Sequence, residues 1–281
     1  MKKCLLASCC ILTMFIAGCG GGSSSSKTGG SNINGVFADA PVVGLSYSCG
    51  STSNVTGTGG AFTCPANSAV TFTVGGVTIC SAPAQAFMTP VSCAQANGDP
   101  SADASTPSVL ATAQFVISIG TPAGTAPGSM SSLTITSAEL QAASGMSLDF
   151  STATQDQLTA AVNTVNPGQT LVDPLTAEDE LTSTVAGNVA GSYSGSYSGS
   201  DSGTWTATID SSGNVSGTYT SSNQNGNVSG AIVNGTTYSG TAGNAVWTGN
   251  VNTSMPPTTG KGPYLFSGSW TSPNGSGSFT N

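Results

Sequence analysis

Tyr193-Ser194-Gly195-Ser196-Tyr197, Val215-Ser216-Gly217-Thr218-Tyr219 and Val228-Ser229-Gly230-Ala231-Ile232 are copies of one five-residue pattern. A bulky residue is followed by Ser or Thr, then Gly, then any residue, then a bulky or apolar one. The pattern returns as Tyr238-Ser239-Gly240-Thr241-Ala242, Trp247-Thr248-Gly249-Asn250-Val251 and Phe266-Ser267-Gly268-Ser269-Trp270, and a degenerate copy, Gly275-Ser276-Gly277-Ser278-Phe279, follows. In an extended strand the first, third and fifth residues share a face. Each copy therefore sets a glycine between two bulky residues on one face, which leaves room where walls curve closely. Alternation of small and large interior residues suits a small closed barrel.

Turn chemistry falls between the copies, at Asp210-Ser211-Ser212-Gly213-Asn214, Asn223-Gln224-Asn225-Gly226-Asn227, Asn234-Gly235 and Pro273-Asn274-Gly275. Asn-Gly is the strongest of these hairpin signals. With the run around Trp205 and Ile209, residues 191–281 predict an eight-stranded antiparallel meander that closes on itself and so exposes no edge. An open β-sandwich is the alternative. The Gly-x-Trp and Ser/Thr-Gly patterning resembles streptavidin-like and lipocalin-like barrels, and the β-barrel tails of other bacterial lipoproteins. That resemblance brings no biotin site with it. Trp205, Trp247, Trp270, Tyr193 and Tyr219, together with Tyr197 and Tyr238, are the candidate ligand-binding residues, and core filling is the competing role for them.

Residues 33–93 read as a first β-rich unit, with strands expected over 33–38, 43–49, 60–63, 69–74 and 77–80. Val70, Phe72 and Val74 alternate with Thr71 and Thr73, and Gly75-Gly76 is a two-residue hairpin signal. The stretch from Gly35 to Gly44, followed by Gly59-Gly60-Ala61-Phe62, resembles the start of carboxypeptidase-regulatory-like or transthyretin-like β-sandwiches. Such modules serve as spacers or binding units in secreted proteins. Residues 94–190 carry helical periods instead, and predict a short helical connector. Its signals are the apolar face of Val109, Leu110, Ala113, Val116 and Ile117, the capping box Thr136-x-x-Glu139, and Asp173 as a cap before Pro174. Glu178, Asp179 and Glu180 are expected near a helix start, where the macrodipole favours anions.

Lys2-Lys3, a short apolar run and Ile16-Ala17-Gly18-Cys19 open the chain. A positive start, an apolar middle and small residues before a cysteine make a secretory signal. Ile-Ala-Gly-Cys resembles the lipobox of bacterial lipoproteins. The resemblance implies removal of residues 1–18, diacylglycerol on the Cys19 sulfur and a fatty acyl chain on its amine. Gly20, where Asp would signal inner-membrane retention in those families, implies outer-membrane placement. Residues 19–32 then form the lipidated cysteine and a flexible Gly/Ser tether.

Composition narrows the function further. The chain has 281 residues, twelve acids against four lysines, no arginine and no histidine. Without Lys2 and Lys3 only Lys27 and Lys261 remain, so no basic face exists to read nucleic acid. A His-based triad or a His-ligated metal is impossible, Ser and Thr lack an activating base, and no cofactor motif is present. Cys49, Cys64, Cys80 and Cys93 read as two disulfides in an oxidising compartment. Four cysteines allow three pairings, and Cys49–Cys64 with Cys80–Cys93 is the favoured one because each bond closes a short local loop, adding about 3 kcal/mol on a chain-entropy model. A four-cysteine metal site is the rival, but no Cys-x-x-Cys pair supports it.

The expectation is a mainly β, non-enzymatic outer-membrane lipoprotein with a surface, structural or adhesion-type role. The alternative is a lipoprotein that holds a small apolar or sugar-like ligand in the C-terminal barrel. The membrane, through the lipid anchor, and an envelope or surface component are the expected partners. Intact-mass analysis of membrane-extracted protein should give a chain that begins at acylated Cys19 with two disulfides. An unmodified soluble species beginning elsewhere would remove the anchor.

Overall fold

The computed structural model describes residues 32–123 and 132–281. The signal, Cys19 and nearly all of the tether therefore lie outside the described residues. The first part comprises strands β1 (Asn32–Phe37), β2 (Val42–Val43), β3 (Ser46–Cys49), β4 (Thr52–Val55), β5 (Ala61–Pro65), β6 (Ala69–Val74), β7 (Val77–Pro83) and β8 (Phe87–Met88), then helix α1 (Pro90–Ala96). Two sheets form, β5-β1-β8 and β4-β3-β6-β7. Phe37 and Phe62 from the first sheet pack on Phe72 of the second, with ring centroids 4.6 and 5.1 Å apart. Tyr47 closes the same aromatic cluster. A small β-sandwich is thus built around four buried rings.

Both disulfides take the local pairing. Cys49–Cys64 links β3 to β5 and so staples one sheet to the other. Cys80–Cys93 ties β7 to α1. The Gly75-Gly76 hairpin is present, with Val74 facing Val77 across it. The expected strand 43–49 is split into β2 and β3 instead. Gly44 has φ +83°, and a Cβ there would stand 2.0 Å from the Ile135 carbonyl oxygen. β4 and β8, short and without clear alternation, had no counterpart in the sequence pattern.

The middle part holds α2 (Pro107–Ile119), β9 (Thr121–Ala123), β10 (Ser132–Thr134), α3 (Ser137–Ala142), α4 (Gln155–Val165) and α5 (Pro174–Val189). Asp173 caps α5 by accepting from the Leu175 amide at 2.9 Å, with Pro174 in the first turn. Glu139 reaches back to the Thr136 amide at the start of α3. This part does more than connect. β10 pairs in parallel with β2, Leu133 opposite Val42, and so adds a strand to the first part. One contiguous apolar core runs from Phe37 through α2, α4 and α5 into the barrel.

The last part is a closed barrel in meander order: β11 (Gly191–Gly199), β12 (Gly203–Ile209), β13 (Asn214–Ser221), β14 (Asn225–Asn234), β15 (Thr237–Ala242), β16 (Ala245–Asn252), β17 (Leu265–Ser272) and β18 (Gly275–Thr280). β18 returns to pair antiparallel with β11, Tyr197 opposite Phe279. Closure rules out the open-sandwich alternative. The glycines of the repeat sit where walls approach. A Cβ on Gly217 would stand 2.0 Å from the Thr206 carbonyl oxygen, and one on Gly240 1.9 Å from that of Ser229.

Glu178, Asp179 and Glu180 do not serve the start of α5, whose first turn carries no acid. Glu180 is instead buried, and so is Asp39 in the turn after β1. Neither Asp39 carboxylate oxygen has a hydrogen-bond partner among the described residues, although the next amide, of Ala40, donates to Thr184 Oγ1 of α5 at 3.1 Å. Burial first, and the Glu180 charge second, push the Asp39 carboxyl up to about 8 from an ordinary 3.8. Between those values the folded chain keeps a proton that the unfolded chain has released. Stability should therefore fall as pH rises through that window and stay lowered above it. Asp39→Asn, which cannot ionise, should raise stability at pH 8 by on the order of a few kcal/mol, with the gain shrinking toward pH 4. Urea melts across that range are the check, and a pH-independent difference would show that the charge is not responsible.

Candidate functional site: the barrel mouth

A meander sends successive turns to alternate ends of its barrel. The turns at residues 200–202, 222–224, 243–244 and 273–274 share one end. Those at 210–213 and 235–236, and the segment 253–264, share the other. That second end is closed by the rest of the chain. Gly235 donates its amide to Thr182 Oγ1 of α5 at 3.0 Å, and Tyr264 donates its hydroxyl to Asn188 Oδ1 at 3.1 Å. Gln95 of α1, also buried, accepts from the Thr253 amide at 3.1 Å and donates to Thr236 Oγ1 at 3.3 Å. Tyr193 donates its hydroxyl to the Val189 carbonyl at the end of α5, at 2.7 Å. Burial holds the phenols of Tyr193 and Tyr238 far above their ordinary pKa, so both stay protonated.

Above this floor stands Phe266, whose ring meets Tyr193, Tyr238, Trp205, Trp247 and Phe279 at 5.4 to 6.0 Å between centroids. Most of these contacts are edge to face, the arrangement aromatic quadrupoles favour. On its far side the lumen opens into a cavity of about 280 Å³ that reaches the first end. Trp205, Ala207, Val215, Trp247 and Phe266 line it below. Tyr197, Tyr219, Trp270 and Phe279 are half-buried higher up. The alternating repeat explains both levels. Each strand contributes inner-face residues two apart, so a strand with bulky residues at both ends of its copy serves floor and mouth together. Gly230 lets the wall hold Trp247, since a Cβ there would come within 2.5 Å of that indole ring.

The mouth is polar and carries one charge. Asp201 accepts from the Ser202 amide at 2.8 Å, the Tyr197 hydroxyl at 3.2 Å and Gln224 Nε2 at 3.3 Å. These hydrogen bonds, the Ser202 amide first, hold its carboxyl below the usual range. Ser200, Asn244 and Asn274 complete the polar edge. Inside, Trp205 Nε1 donates to the Ser196 carbonyl at 3.2 Å, whereas the buried Nε1 of Trp247 and of Trp270 have no hydrogen-bond partner among the described residues.

Of the residues expected to bind, Trp205, Trp247, Trp270 and Tyr219 converge on the cavity, as does Tyr197. Tyr193 does not. It lies at the other end of the same repeat copy as Tyr197, on the same inner face but in the closed floor, with its hydroxyl already bonded to α5. Tyr238 is packed there too. Asp201 was not anticipated as a mouth residue, because in sequence it is only a turn acid. The aromatic spacing of the repeat does point to Phe266 and Phe279. Asp210, the barrel's other acid, holds the 210–213 turn at the opposite end, accepting from the amides of Ser212 and Asn214. Among the described residues, no three His, Cys, Asp or Glu side chains come together to hold a metal.

Compared with protein-family models, curated proteins and solved structures, the chain finds no match in any of the three. The site must be read from its own geometry.

The division into floor and mouth has a direct test. Tyr193→Phe removes the hydroxyl donated to Val189 and should cost about 1 kcal/mol of stability. It should leave the tryptophan emission of the cavity unchanged. A shifted emission maximum would place Tyr193 in the cavity wall.

Proposed function

We propose that this chain is a non-enzymatic, exported lipoprotein of the bacterial outer membrane, anchored through Cys19, that binds a small ring-bearing or apolar ligand in its C-terminal barrel. The cavity carries this reading: one end of the barrel is plugged by α1 and α5, and the other opens on about 280 Å³ walled by aromatic rings. A module with only a structural or adhesive role has no use for such a space. Protein interiors pack densely, and side chains lining a void forfeit dispersion contacts. Concave, mostly apolar walls with few polar groups at the edge are the general form of small-molecule sites. The lipobox, the Gly/Ser tether and two disulfides support the exported, anchored part of the reading.

The protein carries its own reporter. Its three tryptophans, Trp205, Trp247 and Trp270, all line the cavity. Titration with the neutral aromatic probe N-phenyl-1-naphthylamine should give a saturable change in indole emission with one site per chain. Ala242→Phe places a ring in the cavity and should weaken that binding at least about tenfold, with little change in melting temperature. Absence of saturable binding, or equal binding by Ala242→Phe, would return the barrel to a structural role.

A further inference from the structure

We propose that the barrel mouth selects organic monocations of the quaternary ammonium type, seated among Tyr197, Tyr219 and Trp270 beneath the Asp201 carboxylate. The inference rests on the ligand-binding reading above and adds the charge class of the ligand.

Ring geometry comes first. Tyr197 stands nearly perpendicular to both neighbours, at 77° to Tyr219 and 90° to Trp270, with centroids 6.3 and 6.1 Å away. All three side chains line the upper cavity and are half-buried, not packed away. Rings set at right angles make the walls of a box. A cation held among these rings is attracted by the quadrupole of every ring whose face it meets. A methylated ammonium has no N–H to satisfy, so these apolar walls deprive it of no hydrogen bond.

Charge comes second. Asp201 is the only charged residue among those lining the cavity. Its bond to the Tyr197 hydroxyl fixes it to one wall of the box, and the Gln224 and Ser202 bonds hold it at the edge. Its hydrogen bonds favour the ionised form. Among the described residues no basic side chain neutralises it: Lys261, their one lysine, pairs through its backbone with Ser194 at the closed end. A carboxylate at the mouth with aromatic neighbours and no counter-ion among the described residues repels anionic ligands and lowers the energy of a cation entering the mouth. The cavity of about 280 Å³ has room for a trimethylammonium group and a further substituent.

Choline and its neutral isostere 3,3-dimethylbutan-1-ol differ in charge at nearly constant shape. Calorimetric titration of the full-length protein in detergent and phosphate buffer, which contains no competing organic cation, should show choline binding at least about tenfold more tightly. Asp201→Asn keeps the size of the side chain and should remove most of that preference. Trp270→Leu should weaken choline more than the alcohol. Raised salt should weaken choline alone. Equal affinity for the two compounds overturns cation selection while ligand binding stands. So does binding of N-phenyl-1-naphthylamine without binding of choline. If the naphthylamine fails as well, the ligand-binding reading falls with it.

Discussion

Barrel closure depends on glycine at the centre of each repeat copy. In β13 and β15 the neighbouring carbonyl oxygen already occupies the place a Cβ would take, as at Gly217 and Gly240. At the seam between β11 and β18, Gly195 and Gly277 face the same crowding from Thr280 and Ser198. Strands coiled this tightly bring a short chain round to pair with itself, and a closed barrel has no edge to offer another molecule. That matters for a chain with so few charges. Edge-blunting by lysine, the usual defence of a sheet, is not open to a segment whose only lysine is Lys261. Glycine therefore does by geometry what charge does elsewhere.

Closure alone makes a tube; docking makes it a cup. Gln95 is the clearest agent of that step, because one buried amide reaches Ala102 on its own side and Thr236 and Thr253 on the barrel. Thr182, Asn188 and Val189 of α5 supply further contacts. The same helix buries Glu180 close enough to Asp39 to raise that carboxyl, and Thr184 bonds to the adjoining turn. α5 is thus fixed between sandwich and barrel by polar contacts at both ends. Satisfaction of the buried polar groups is uneven: Gln95 of α1 is fully bonded, whereas both Asp39 oxygens have no partner among the described residues. An unpaired buried carboxyl favours its neutral form.

Much of this was legible in the sequence, and the remainder was not for definite reasons. The period-two repeat and its turns predict strand number, inner face and closure, since all three follow from local chemistry. The short cysteine loops predict the pairing that forms. What local pattern lacks is height along the barrel axis. Tyr193 and Tyr197 share one strand and one face, yet one closes the floor and the other lines the mouth. Only the docking of α1 and α5 decides which end is open. Glu180 is hidden from sequence reasoning in the same way. It reads as one of three acids near a helix start, and its burial beside Asp39 depends on a contact far away in the chain.

Scarcity of charge then acquires a second meaning at the mouth. In a protein with many ionisable side chains, one carboxylate beside a cavity is screened and paired, and says little about what enters. Among the described residues Asp201 faces no cation, and none of them offers a competing salt bridge to its field at the cavity opening. Aromatic rings add a weak potential of the same sign at their faces. The two contributions reinforce each other because Tyr197 belongs to both, as a wall of the box and as donor to the carboxylate. Deletion of the carboxylate and deletion of the Tyr197 ring should therefore be coupled, because the two groups share a hydrogen bond, although Ser202 and Gln224 also hold Asp201.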